Sequence, residues 1–324
     1  MTNFFEAIPE EILAKIGDMD LSIESESCHE AVASVLAKTV LSGGKRLRPM
    51  LCFLMGSYFN IDINTLDPFA KSIEMVHAAS LAHDDVVDNA TQRRGEPSIN
   101  IVSSNKRAVL AGDYLLADVI YTLSHQGDLH IVQEMSKVIQ DLALGEWIQS
   151  DAIEQRAYTQ ELIERIAHYK TASVMSWCTW IGAYAAKAPT NICEQAREFG
   201  HRVGLAFQMM DDTLDFASTS EKDFLLDVKN GVVNSVILEW LLLHPAKYEA
   251  YKSGESLESI WNEDRIDEAV KIVEARAREH MNVAASCLNS ISDYLVSQGM
   301  TKEEANKKMA PLEFIMSFII DRKH

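Results

Sequence analysis

EMVHAASLAHDDVVDNATQRRG, residues 74–95, decides the fold. A run with apolar and small residues leads into Asp84-Asp85-Val86-Val87-Asp88 and then into a turn-like segment, Asn89 to Gly95. The run reads as a long helix that ends in three carboxylates. The spacing i, i+1, i+4 puts those side chains on one side of it. Like charges at i, i+4 cost roughly 0.2–0.5 kcal/mol each, and the negative end of the helix dipole adds to that cost. A cation is therefore expected there. The pattern recurs in GLAFQMMDDTLDF, residues 204–216, with Asp211, Asp212 and Asp215. Composition alone gives roughly 0.1 copies of DDxxD in a chain of this size. Two copies point to function rather than to two solvated helix ends.

The rest of the chain fits a helical frame around this pair. Gly (14) and Pro (7) are few among 324 residues, and long periodic runs with few breakers argue for an all-α protein of about ten helices. Asp67-Pro68 reads as a helix start, and Asn191 with Glu194 and Thr301 with Glu304 read as capping boxes. Pro311 is expected to break or kink the last segment. Residues 159–186 form a third long apolar run, and 219–235 a polar loop. No linker or repeat divides the chain, so a single domain over 1–324 is expected, with about the first twenty residues peripheral.

Composition excludes several classes. A net charge of −18 gives no basic footprint for nucleic acid. The five cysteines are scattered and form no CxxC, so neither a disulfide framework nor a zinc knuckle is supported. No stretch approaches the length of a transmembrane span and no secretory signal is read, so a soluble, cytoplasmic protein is expected. Glu74-x-x-His77 matches half of a di-iron carboxylate signature, but no second ExxH follows. No dinucleotide fingerprint is present, and Gly43-Gly44-Lys45 lacks P-loop spacing.

Hard oxygen ligands in clusters suit Mg²⁺, which keeps several waters and takes one or two carboxylates plus substrate phosphates. Carboxylates alone would repel a diphosphate, so the metal is required in this reading. Cations lie where a phosphate would meet them. Arg93-Arg94 follow the first cluster, and Gly43-Gly44-Lys45-Arg46-Leu47-Arg48-Pro49 precedes a helix start. Lys170 and Thr171 interrupt the third apolar run, and Gln208 stands three residues before Asp211.

Together these residues resemble the all-trans polyprenyl diphosphate synthases, the isoprenoid chain-elongating prenyltransferases. The blocks that carry the resemblance are GGKRLRP (43–49), residues 74–95, GDYLLA (112–117), GEWIQ (145–149), YKTAS (169–173) and residues 204–216. They run in order from about residue 25 to the C-terminus. The resemblance implies a large helical bundle of the isoprenoid synthase type, with both Asp motifs facing a central cavity, and a homodimer. It implies that Lys45, Arg48, His77 and Arg94 bind isopentenyl diphosphate. Arg93, Lys170, Thr171, Gln208 and Lys222 would hold an allylic prenyl diphosphate. Asp84, Asp88 and Asp211 would be the direct Mg²⁺ ligands, with Asp85, Asp212 and Asp215 assisting through water or orientation.

Short-chain members of the family place bulky aromatics one turn before the first motif. Here stand Ala78, Ala79 and Ser80, so a medium-to-long product, in the size class of a quinone side chain, is expected, with Ala79 and Ser80 setting its length. The chain departs from the family after the second motif. Lys222 and Asp227 fit, but Val232, Asn234 and Val236 stand at the usual Lys, Thr and Pro positions. A short-chain farnesyl or geranylgeranyl diphosphate synthase, a terpene cyclase and a weakly active partner subunit are the alternatives. Membrane contact during release of an apolar product is open, and no anchor is seen.

Overall fold

The computed structural model describes residues 7–21, 30–41, 43–93, 95–216, 228 and 231–321. They form two compact units, one of residues 1–139 and 181–188, the other of residues 140–180 and 189–324. Each is almost wholly helical. Fifteen α-helical segments and one π turn are present among the described residues. The excess over the expected ten comes from short segments that periodicity cannot register.

The first unit holds α1 (Glu10–Gly17), α2 (Glu30–Lys38), α3 (Leu47–Tyr58), α4 (Ile63–Val87), α5 (Ile99–Val102) and α6 (Asn105–Ser124). α3 is buried along most of its length, from Pro49 to Met55. α4 does not begin at Asp67-Pro68 as expected. It begins at Ile63, where the Asp62 carboxylate accepts from the Asn64 amide at 2.9 Å. Pro68 is accommodated inside the helix, and Asp67 pairs with Lys15 and Lys71, each at 3.2 Å. After α4 the chain makes a small antiparallel ribbon, β1 (Gln92–Arg93) with β2 (Glu96–Pro97), in which Arg93 faces Glu96. Gly95 closes it at a φ of 82°, where a side chain would be strained. Among the described residues this ribbon is the strand pairing that the sequence did not reveal.

α7 (Leu129–Gln155) and α9 (Ser173–Ala185) contribute residues to both units. The second unit also holds α8 (Gln160–Ala167), a π turn (His168–Ala172), α10 (Thr190–Leu214), α11 (Ser235–Leu243), α12 (Pro245–Lys252), α13 (Leu257–Ile260), α14 (Ile266–Ser297) and α15 (Lys302–Ile320). The third apolar run is thus α8, the π turn and α9 in succession, capped by Thr159, whose Oγ1 accepts from the Leu162 amide. Thr301 caps α15 as expected, accepting from the Glu304 amide at 3.2 Å. Pro311 does not end α15, which continues to Ile320 behind buried Leu312, Ile315 and Ile319. Asn191 is not a cap. α10 starts one residue earlier behind Pro189, whose fixed φ of −55° suits the entry, and Glu194 pairs with Arg197.

Packing in the second unit depends on two glycines one turn apart. A Cβ on Gly200 would lie 2.4 Å from the Met175 carbonyl oxygen, and one on Gly204 would lie 2.5 Å from the Ala172 Cα. The missing side chains let α10 close on the π turn and α9. Thr179 Oγ1 seals the contact by donating to the Ala196 carbonyl at 2.6 Å. Trp177, Trp180 and Trp240 are fully buried in this unit, and each such side chain contributes roughly 1.5–3 kcal/mol through apolar burial.

Candidate active site

In the first unit the three carboxylates of Asp84-x-x-x-Asp88 are not equivalent. Asp85 is wholly buried. Its Oδ1 accepts from Arg93 Nε at 2.6 Å, and its Oδ2 accepts from the Ile99 amide, the first residue of α5, at 3.3 Å. Asp84 is half-buried in the last turn of α4, and Asp88 is its exposed C-terminal cap. The outer pair therefore carries the negative charge that reaches solvent, at the negative end of a helix of 25 residues. His83 anchors the same turn. Its Nε2 lies 3.1 Å from the Val109 carbonyl oxygen, and a Cβ on Gly112 would lie 2.3 Å from that nitrogen. GDYLLA owes its glycine to this contact.

The Gly43–Arg46 segment is left-handed at three positions, Gly43, Gly44 and Arg46, with φ of 70°, 89° and 48°. Lys45 between them is exposed, and Arg48 is half-buried in the first turn of α3. Arg46 ties this segment to the N-terminal helix, its Nη1 donating to the carbonyls of Ile16 and Met19 at 2.9 and 3.0 Å. A cavity of about 210 Å³ joins the segment to the first motif, with Lys38, Gly43, Asp85, Arg93 and Ser98 in its wall. His77 is half-buried on α4 and its carbonyl accepts from Ser80 Oγ. Ala78 and Ala79 are fully buried, and Ser80 is half-buried. Arg94 lies outside the described residues.

In the second unit Thr171, Gln208 and Asp212 come together. Thr171 Oγ1 donates to Gln208 Oε1 at 2.8 Å, and Gln208 Nε2 donates to Asp212 Oδ1 at 2.9 Å. Gln208 therefore serves Asp212, one turn on, rather than Asp211. Asp212 Oδ2 accepts from the amide of Ser235, the first residue of α11, at 2.9 Å. Burial pushes the Asp212 carboxyl up to about 6, against the pull of the Ser235 and Gln208 hydrogen bonds. Asp211 is exposed and Asp215 caps α10. Lys222 and Asp227 lie outside the described residues. Val232 is half-buried, and Asn234, at the family's Thr position, caps α11 by accepting from the Ile237 amide at 2.9 Å.

Lys170 shows what sequence reasoning missed. Its Nζ donates to Gln149 Oε1 at 3.0 Å and forms an ion pair with Glu146. Both partners belong to GEWIQ, a block with no role assigned from the sequence. The available signal was a Glu and a Gln spaced i, i+3 on one helix.

No group of three or more His, Cys, Asp or Glu side chains is arranged among the described residues to hold a metal ion. Within each motif the outer carboxylates, less buried than the middle one, still suit a cation that completes its shell with water and phosphate oxygens.

The polyprenyl synthetase family profile matches residues 29–273. The chain belongs to the polyprenyl synthetase family. Solanesyl-diphosphate synthase 1, mitochondrial, of Oryza sativa subsp. japonica is 29% identical over 313 residues, covering 89% of this chain and 73% of that protein. Heptaprenyl diphosphate synthase component 2 of Bacillus subtilis is 33% identical over 260 residues, covering 77% of this chain and 74% of its own. Among solved structures, a decaprenyl diphosphate synthase from Rhodobacter capsulatus superposes with a TM-score of 0.80 at 23% identity, covering 97% of each chain. That likeness establishes the all-α isoprenoid synthase fold for this family member.

Proposed function

We propose that this chain, an enzyme of the medium- and long-chain polyprenyl diphosphate synthase class, condenses isopentenyl diphosphate onto an allylic prenyl diphosphate, repeatedly and in the trans configuration. The observation that carries the reading is the division of labour within each motif. Asp85 and Asp212 are buried and committed to protein partners, while Asp84, Asp88 and Asp211 lie outward, where cations can reach them. Asp215 assists at the end of α10.

Asp84, Asp88 and Asp211 would hold Mg²⁺, which when bound supplies the positive charge that draws off the allylic diphosphate as a leaving group. Lys170, Thr171, Gln208, Arg93 and Lys222 are the residues that the family resemblance assigns to that leaving group. Lys45, Arg48, His77 and Arg94 grip the second diphosphate and hold its double bond beside the allylic carbon. The apolar helix walls exclude water from the cationic allyl group that forms. The new carbon–carbon bond leaves a cation that loses a proton, and the departing diphosphate is the base within reach. Ala79 and Ser80 on α4 set product length.

Surface chemistry supports a homodimer in the same reading. α5 and α6 leave Ile101, Leu110 and Tyr121 more than half exposed, at 57%, 55% and 66%. A second copy of the chain is the proposed cover. The name of the Bacillus relative, a component 2, and Val232 at the usual Lys position favour one competing reading, a subunit that needs a different partner. No described helix is long and apolar enough to cross a membrane. The proposed location is the cytoplasm.

The test is to incubate the purified chain with Mg²⁺, farnesyl diphosphate and labelled isopentenyl diphosphate, and to read products by mass spectrometry. A ladder of all-trans products is expected. Diphosphate release without isopentenyl diphosphate would indicate a cyclase instead. No turnover until another chain is added would indicate the partner subunit.

A further inference from the structure

The π turn His168–Ala172 sends neighbouring side chains to two different helices. Thr171 reaches Gln208 on α10, whereas Lys170 reaches Glu146 and Gln149 on α7. Such one-turn widenings of a helix occur frequently at functional sites. The route of the Lys170 stem is fixed too. A Cβ on Gly145 would lie 2.7 Å from Lys170 Cγ and 3.0 Å from Tyr169 Cβ. Glycine at 145 is thus the space through which the lysine passes.

We propose that Glu146 is a positioning residue for Lys170, and that it sets the affinity of this site for the allylic diphosphate. This rests on the synthase reading above, which assigns Lys170 to that diphosphate. Lysine is a flexible stem with a point charge at its tip. Left unheld, it must be ordered when substrate binds, at the expense of affinity. Glu146 and Gln149 order it when the protein folds. Each side chain of the Lys170–Glu146 pair is about a quarter exposed, at 28% and 27%, so the pair is screened only in part. Glu146 also offsets the lysine charge. An arriving diphosphate shares Lys170 with a carboxylate, and a departing one is held less tightly than by a bare ammonium. The same pair therefore aims the cation and eases product release.

The experiment is a double-mutant cycle on the full chain with Glu146→Ala, Glu146→Gln, Lys170→Ala and Glu146→Ala/Lys170→Ala, each checked for folding by thermal melting. Steady-state kinetics are expected to show kcat/KM for the allylic substrate falling about tenfold in Glu146→Ala, with KM for isopentenyl diphosphate unchanged. Glu146→Gln, which keeps an oxygen acceptor for Nζ, should recover most of the loss. The double variant should lose no more than Lys170→Ala alone.

Calorimetric binding of inorganic diphosphate with Mg²⁺ to the same proteins needs no turnover. It should be several-fold tighter in Glu146→Gln than in wild type. Wild-type kinetics in Glu146→Ala, losses that multiply in the double variant, or diphosphate binding unchanged by Glu146→Gln would each overturn the inference. Failure of the synthase reading looks different: the wild-type chain would make no condensed product, while the diphosphate-binding cycle would still report on Glu146.

Discussion

The two Asp motifs have the same five-residue pattern and the same hydrogen-bonding plan, yet different electrostatics. In each, the middle carboxylate is buried and accepts the amide of the first residue of the next helix, Ile99 or Ser235. In each, the outer carboxylates stay near solvent. The difference lies in the other oxygen of the middle residue. Asp85 has a guanidinium at 2.6 Å, whereas Asp212 has the neutral amide of Gln208 at 2.9 Å. Asp212, which has no cationic partner, is raised towards protonation by its burial. One motif is thus built around an ion pair and the other around a dipolar network.

The largest expected effect tests what the motifs share. Asp84→Ala and Asp211→Ala should each lower kcat about a thousandfold or more, since each removes a proposed cation ligand. Thermal melting should be nearly unchanged, and chelation of Mg²⁺ should mimic both variants. A motif whose outer Asp can be removed without loss is not a metal site.

The next test separates them. Asp85→Asn leaves Arg93 beside a neutral amide and should cost about 2–3 kcal/mol of stability by denaturant titration. Asp212→Asn exchanges one neutral-partner hydrogen bond for another and should cost under about 1 kcal/mol. Equal costs would dissolve the distinction between ion pair and network.

A smaller effect belongs to the second unit only. His201 on α10 is held neutral, its pKa lowered from 6.5 to about 4, first by burial and then by the neighbouring His168. Arg202 and His280 push it the same way, and Glu198 opposes them. The unfolded chain takes up a proton below about pH 6.5 that the folded chain refuses until about pH 4. The His201 contribution should therefore be flat above neutrality and fall as pH drops through that window, while Asp212, raised to about 6, contributes in the opposite direction. The His201 share, a loss of roughly 1–2 kcal/mol between pH 7 and pH 5, is read by chemical denaturation as the difference between wild type and a His201 variant. His201→Gln should remove that share.

The smallest effect on folding carries a large effect on product. Ser80→Phe, at a half-buried position of α4, should shift stability by about 0.5 kcal/mol or less. Mass spectrometry should show a product shorter by one or more isoprene units. Product lengths identical to wild type would remove Ser80 from the length-setting set. Ala79→Phe is the harsher companion, because Ala79 is fully buried and overpacking costs about 1–3 kcal/mol.

Much of this was legible in the sequence, and the failures have definite causes. The motifs, the helical class and the grouping of Thr171 with Gln208 followed from spacing and from family resemblance. The start of α4 was misread because Asp67-Pro68 carries a strong local signal, while Asp62 supplied the actual cap. Gln208 was matched to Asp211 by helical spacing, yet Asp212, equally close on the helix, is the buried partner. The resemblance sets Asp85 and Asp212 apart from the direct ligands, but what commits those two is invisible in the sequence. It depends on partners that only folding brings near, such as Ser235 beyond a long intervening segment. The departure at Asn234 looked like a loss, but an Asn caps a helix as well as the expected Thr. Lys170 interrupts an apolar run with no anion nearby in sequence, because its partner Glu146 sits on another helix.

The middle carboxylates carry a last consequence, for what evolution can and cannot vary. What Asp85 and Asp212 grasp is a main-chain N–H, which every residue but proline possesses. Ile99 needs no side chain of its own for the contact, and the Ser235 amide would serve equally in another residue, so the main-chain contact itself leaves no mark in a comparison of homologous sequences. Proline, ordinarily welcome at the first position of a helix, is the one residue that the grasp forbids at both. The constraint is written in the sequence only as an exclusion.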